Sequence, residues 1–237
     1  MFIKVCGMRE PENIHAVEQL GVDMIGFIFW PDSPRFVSQI RSRAGIIPDY
    51  TSFKEERPGG NNQPNPDEAT PQAKPAARVG VFVDDMPQNI VTRVFNYRLD
   101  YVQLHGSESP VMVDNLRRTL NPDIRPGIQI IKALNISAEE DLEQCKAYEG
   151  LVDLFLFDTK CACKGGSGQQ FDWSVLSSYD GQTPFLLSGG IGPDDAARIK
   201  AFHHPQFAGI DLNSRFETSP GVKDVEALRR FISELRE

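Results

Sequence analysis

At 237 residues, 40% of them hydrophobic and 24% charged, the chain is long enough to bury one sizeable α/β core, and its composition excludes collagen-like, coiled-coil and globally disordered classes. Its formal charge of −8 argues against nucleic acid or an anionic membrane as the main partner, so an anionic small molecule would need a locally positive pocket. No apolar run approaches a membrane span of about 18 residues, and the opening MFIKVCGMRE lacks a secretory leader, which predicts a cytoplasmic protein with no membrane partner.

Short apolar or β-branched runs alternate with amphipathic stretches along the chain, the pattern of βα units around a parallel sheet. Eight strands are predicted, at residues 2–6, 24–29, 78–83, 101–104, 128–133, 151–157, 185–187 and 207–212. Between the first two, Pro11 suits a first helical turn, Ile14, Val17 and Leu20 repeat along one face, and Gly21 provides a left-handed stop. The segment 51–77 breaks the rhythm: it has five prolines, a Gly-Gly pair and one large apolar side chain, Phe53, too little apolar surface to offset ordering entropy. It is expected to be a mobile insertion between strands two and three, tolerated because a longer loop adds little closure entropy. Toward the C-terminal end, Pro220-Gly221 precedes a last helix carrying Val225, Leu228, Ile232 and Leu235 at helical spacing. No GxGxxG follows the first strand to support a doubly wound sheet, so the expected fold is a single-domain (β/α)8 barrel over residues 1–237.

In such a barrel the working residues stand at the C-terminal ends of the strands, with phosphate held after strands seven and eight. There the sequence places Ser188-Gly189-Gly190, whose small side chains expose backbone N–H groups next to a helix beginning near Pro193, and Asn213-Ser214 as further donors. Cys6 and Asp158 end strands one and six, a candidate base and acid. Period-two alternation turns Lys4 and Cys6 inward and Ile3 and Val5 outward. Taken alone, Cys6 could equally be a small buried hydrophobe and Asp158 a helix-capping aspartate. Phe155 and Phe157 are expected to make the surroundings of Asp158 partly apolar, raising its pKa toward that of a usable acid. Because barrel closure makes strands one and eight neighbours, Lys4 is expected to pair with Asp211 and to favour the Cys6 thiolate.

The ordered set KVCGMR (4–9), GFIFWPDSPRFVS (26–38), RVGVFV (78–83), VQLHG (102–106), FDTK with GGSGQQFDW (157–173), LSGGI (187–191) and GIDLNSRFETSPGVKD (209–224) resembles the phosphoribosylanthranilate isomerase family of tryptophan biosynthesis. The resemblance implies an Amadori rearrangement of N-(5-phosphoribosyl)anthranilate, with Asp158 as general acid and Cys6 as general base. It implies that Arg35 receives the anthranilate carboxylate, that Gln103 and His105 support the substrate, and that Gly166 and Ser167 belong to a glycine-rich loop over the site. Ser188, Gly189, Gly190, Asn213, Ser214 and Arg215 would hold the phosphate. Neither metal nor organic cofactor is implied, and the assembly would be a monomer or homodimer. Arg215 departs from the small residue, often glycine, that the family has there; it either obstructs the turn or adds charge to it. The four cysteines, Cys6, Cys145, Cys161 and Cys163, are expected to be free thiols, Cys161-Ala162-Cys163 having no second cluster to complete a metal site. Another phosphosugar-barrel isomerase or epimerase, or a noncatalytic binding barrel, is the competing reading.

Overall fold

The structure, a computed structural model, describes residues 1–38, 75–158 and 172–237. Eight parallel strands close into a barrel in sequence order: β1 (Phe2–Val5), β2 (Met24–Ile28), β3 (Ala77–Phe82), β4 (Tyr101–Leu104), β5 (Gln129–Asn135), β6 (Leu154–Asp158), β7 (Phe185–Ser188) and β8 (Phe207–Leu212). Closure runs through β1 and β8, where Lys4 lies opposite Asp211 and Val5 opposite Leu212.

Alternation along the strands sorts two cores. Met24, Val79, Ile131, Leu154, Leu156 and Leu186 form an inner cluster, whereas Ile3, Val5, Ile25, Phe155, Phe157 and Leu187 pack in the larger cluster shared with the helices. Among the described residues the helical layer comprises α1 (Pro11–Glu18), α2 (Pro87–Tyr97), α3 (Pro110–Leu120), α4 (Ala196–Ala201) and α5 (Val225–Arg236), with 3₁₀ segments Glu139–Ala147 and Trp173–Ser178 after β5 and β6. Each of α1, α2 and α3 opens on proline, where the missing N–H costs no intrahelical bond. Full burial of Ile14 and Val17 on α1 stabilises by roughly 1.5–3 kcal/mol per side chain.

Two local expectations are corrected. Strand β6 begins at Leu154 rather than residue 151, because Gly150 turns at φ 75° and Asp153 is occupied outside the strand, accepting from Ile130 N at 2.7 Å and Arg117 Nη2 at 2.6 Å. Pro220-Gly221 precedes the last helix as expected, and with φ 86° at Gly221 it also turns a hairpin between β9 (Glu217–Ser219) and β10 (Val222–Lys223). Helix α5 follows, its N-cap Asp224 accepting from Ala227 N at 2.9 Å. Residues 75 and 76 form the approach to β3 and Ala77 opens it, with Ala76 buried and Ala77 N bonded to Asp23 O at 2.9 Å; the remainder of the expected insertion, 51–74, lies outside the described residues.

Candidate active site

Cys6 directly follows β1, and its N–H donates to Leu212 O at 2.9 Å, extending the β1–β8 ladder to the barrel mouth. Its side chain is 3% exposed. Room for the sulfur comes from Gly26 on β2, where an added Cβ would stand 2.7 Å from Sγ. Two residues earlier, at the next inward-facing position of β1, Lys4 Nζ donates to Asp211 Oδ1 at 2.8 Å, both side chains buried, so the ion pair expected from barrel closure is present. Its expected influence on the thiol is outweighed. Burial is the largest influence and pushes the Cys6 thiol up; Lys4 pulls it down, Asp211 opposes that pull, and Lys223 adds a smaller downward one. Cys6 therefore stands as a neutral thiol at neutral pH.

Asp158 ends β6 with only 4% exposure. Phe155 and Phe157 do not line its surroundings as expected: they stack against Tyr179 and Phe185 in the outer layer, because odd positions of β6 face the helices and Leu154, Leu156 and Asp158 face the lumen. From β4, His105 Nε2 lies 3.8 Å from Asp158 Oδ2, an ion-pair distance longer than a hydrogen bond. Gln103 Nε2 is 3.0 Å from His105 Nδ1; with the amide donating, the ring proton sits on Nε2, the Asp158 side. Gln103 Oε1 is buried and makes no hydrogen bond among the described residues, leaving an acceptor to be satisfied at the cleft.

At the end of β7, Gly189 and Gly190 take φ 99° and 68°, a left-handed pair that turns the backbone tightly over the mouth. The helix expected after this turn is short, a single 3₁₀ turn (Pro193–Asp195) leading into six-residue α4, and Gly192 N is already satisfied by Asp195 Oδ2 at 2.8 Å. Arg215 reaches this place from the turn after β8: its Nε would stand 3.3 Å from a Cβ at Gly192, and its guanidinium makes no hydrogen bond or ion pair among the described residues. The side chain thus lies beside the glycine turn without disrupting it.

Arg35 arrives from the turn after β2 and is anchored in a cluster not foreseen in the sequence. Its Nε donates to Glu217 Oε1 at 2.8 Å and its Nη2 to Oε2 at 2.5 Å. Glu217 Oε1 also accepts from Lys223 Nζ at 2.7 Å and Gly221 N at 3.1 Å, and Lys223 Nζ continues to Asn213 Oδ1 at 2.8 Å. Gly7, at φ 77°, allows this convergence, since a Cβ there would meet Arg35 Cδ at 2.6 Å and Asn213 Oδ1 at 2.8 Å. Burial alone would raise the Glu217 carboxyl, yet hydrogen bonds from Arg35 and Lys223 hold it at about 2, below its ordinary 4.5. A depressed carboxyl stabilises the fold above its unfolded-state pKa and loses that contribution as pH falls toward about 2. Urea unfolding should accordingly show Glu217→Gln less stable than wild type by roughly 2 kcal/mol at pH 6. The gap should narrow toward pH 3, and a pH-independent difference would exclude this origin.

One cleft is lined by Cys6, Arg35, Gln103, His105 and Asp158 together with Ser188, Gly189, Gly190, Asn213, Ser214 and Arg215. Every described residue singled out in the sequence as part of the site is thus brought together. Gly166 and Ser167, like Cys161 and Cys163, lie outside the described residues. Among the described residues, no group of three or more His, Cys, Asp or Glu side chains could hold a metal ion, Cys6 and Cys145 are free cysteines, and no helix is long and apolar enough to cross a membrane. Asp211 joins the cleft wall, and Ile28, Val81 and Ile191 give it apolar ground.

Fold and site together define a (β/α)8-barrel enzyme working at the carboxyl ends of its strands. The profile of the family described as N-(5'phosphoribosyl)anthranilate (PRA) isomerase matches residues 56–234. The chain is 45% identical over 235 residues to an N-(5'-phosphoribosyl)anthranilate isomerase of Parabacteroides distasonis, covering 99% of this chain and 93% of that one. It is 42% identical over 237 residues to the protein of the same name from Phocaeicola vulgatus, covering 100% and 98%. Among solved structures, a phosphoribosyl anthranilate isomerase in complex with reduced 1-(o-carboxyphenylamino)-1-deoxyribulose 5-phosphate superposes with a TM-score of 0.72 at 27% identity, covering 100% of this chain and 98% of that one. The chain belongs to the N-(5'-phosphoribosyl)anthranilate isomerase family, and it is an isomerase.

Proposed function

We propose that the protein converts N-(5-phosphoribosyl)anthranilate into 1-(2-carboxyphenylamino)-1-deoxyribulose 5-phosphate by acid–base catalysis between Asp158 and Cys6. The observation that carries this reading is that a thiol and a carboxyl from the ends of β1 and β6 line a single cleft. Groups suited to the two ends of the ligand, Arg35 and the turns after β7 and β8, line that same cleft.

Asp158 gives its proton to the furanose ring oxygen as the C1′–O bond breaks, and the anilino nitrogen lone pair forms the iminium. Cys6 then takes the C2′ proton and the electrons left behind neutralise the iminium, giving an enolamine. Tautomerisation to the ketone returns the protons, so the overall change is an isomerisation. The substrate's own iminium is the electron sink that makes C2′ acidic enough for a side-chain base. Cys6 starts as a thiol, held so chiefly by burial; as general base it acts through its minor thiolate form, with Lys4 and Lys223 the nearby cations that favour it.

Binding follows from the cleft's ends. The phosphate is held by Ser188, Gly189 and Gly190, by Asn213 and Ser214, and by Arg215, whose guanidinium supplies charge beside a short helix with little dipole of its own. The orphaned Gln103 Oε1 accepts from a sugar hydroxyl, and His105 stands over Asp158. Gly166 and Ser167 would complete the site from the loop after Asp158.

Arg35→Ala is expected to raise KM by roughly 10-fold or more with a smaller effect on kcat, since one charge-assisted pair is worth about 1.5–3 kcal/mol. An unchanged KM would remove Arg35 from the substrate site. The function itself is tested by following the fluorescence of enzymatically generated phosphoribosylanthranilate with EDTA-treated protein. Turnover is expected, and its disappearance on chelation would exclude the mechanism.

A further inference from the structure

Glu217 has no part in the chemistry above, yet through Arg35 and Lys223 it joins both ends of the cleft. Glu217 engages the guanidinium side-on, through Nε and Nη2, which uses two of its five N–H groups and leaves both on Nη1 and the second on Nη2. Those three form the end-on fork, whose shape fits a carboxylate in two parallel hydrogen bonds. Glu217 is itself immobilised by Lys223 and by the backbone of the hairpin turn at Gly221, and its side chain is 5% exposed against 18% for Arg35. Counted together, Arg35, Lys223 and Glu217 carry one uncompensated positive charge, the complement of a single arriving carboxylate.

We propose that Glu217 is a positioning residue that presents the end-on face of Arg35 to the ring carboxylate of the substrate, and so sets the preference for a carboxylated ring. This rests on the reading of Arg35 given above. A long guanidinium side chain left loose would lose its rotamer freedom only on binding; held by Glu217, it has lost that freedom on folding. Through Lys223 the same anchor reaches Asn213, so the carboxylate and phosphate ends are set at a fixed separation.

Two stable ligands test this by calorimetry: the reduced product and the same compound without its ring carboxylate. Wild type should prefer the carboxylated ligand by at least about 10-fold, one charge-assisted bond's worth, and Arg35→Ala should abolish the preference. Glu217→Gln should weaken the carboxylated ligand about 10-fold and the other less than about twofold, with kcat within about threefold of wild type. Glu217→Asp should fall between, the charge being kept and the reach shortened. Equal weakening of both ligands would mean a purely structural role and overturn the proposal. Tighter binding of the carboxylated ligand would also overturn it, since Glu217 would then be a competitor for Arg35. Should Glu217→Gln not fold, the selectivity of Glu217→Asp decides between the same outcomes. No preference in wild type would reject the Arg35 reading itself, whereas a preference lost in Arg35→Ala but kept in both Glu217 variants would reject only this proposal.

Discussion

Asp158→Asn is expected to lower kcat by about 10²–10⁴-fold, the usual worth of a positioned general acid, while Kd for the reduced product changes little. Asparagine keeps the shape and polarity of the side chain at the end of β6 but has no proton to give the ring oxygen, so the loss belongs to ring opening rather than to binding. The ionisation of Cys6 is read apart from ring opening, by the rate at which the wild-type thiol is alkylated. With the thiol pushed up by burial, thiolate is a minority species at neutral pH, and that rate should climb between pH 6 and 9 as the fraction grows. A near-wild-type kcat in Asp158→Asn would refute the acid role, and an alkylation rate that is flat or falls with rising pH would refute a thiolate growing in over this range.

Cutting one end of the Lys4–Asp211 pair should be the most destabilising single change in the site region. Both side chains are buried, at 0% and 7% exposure, and removing one partner leaves the other as an uncompensated charge in the barrel, at a cost of about 3–5 kcal/mol. Lys4→Met and Asp211→Asn should each lose stability of this size in urea unfolding. Replacing both by apolar residues, Lys4→Met with Asp211→Leu, should recover most of it, because the desolvation of two charges is then avoided. The two single changes should differ in chemistry: Lys4 lowers the Cys6 thiol and Asp211 raises it, so slow alkylation of Cys6 should become slower in Lys4→Met and faster in Asp211→Asn. Losses below about 1 kcal/mol in both single variants would contradict the assignment of a buried ion pair.

Much of this site is written locally. Short apolar runs locate the strands, period-two alternation puts Lys4 and Cys6 on the lumen side, and the circular order of a barrel makes Asp211 the neighbour of Lys4 before any coordinate is seen. Misreadings arise where one signal serves two structures. Leu151 and Val152 are apolar but precede the strand after the Gly150 turn. Phe155 and Phe157 adjoin Asp158 in sequence yet face away from it, because the alternation that turns Lys4 and Cys6 inward on β1 turns these two rings outward on β6. Glu217 and Lys223 were missed for a different reason. A charged residue in a late loop looks solvated until the chain is closed, and Arg35 and Glu217 are 182 positions apart. Gly7 and Gly26 carried no visible mark either, since what they avoid, contact with Arg35, Asn213 and the Cys6 sulfur, exists only in the folded barrel.

The most direct measurement is the decay of phosphoribosylanthranilate fluorescence with Cys6→Ala beside wild type, both first shown to bind the reduced product with similar affinity. A sulfur that removes the C2′ proton predicts rapid consumption by wild type and a kcat about 10²–10⁴-fold lower in the variant. Consumption at comparable rates by the two proteins would contradict it.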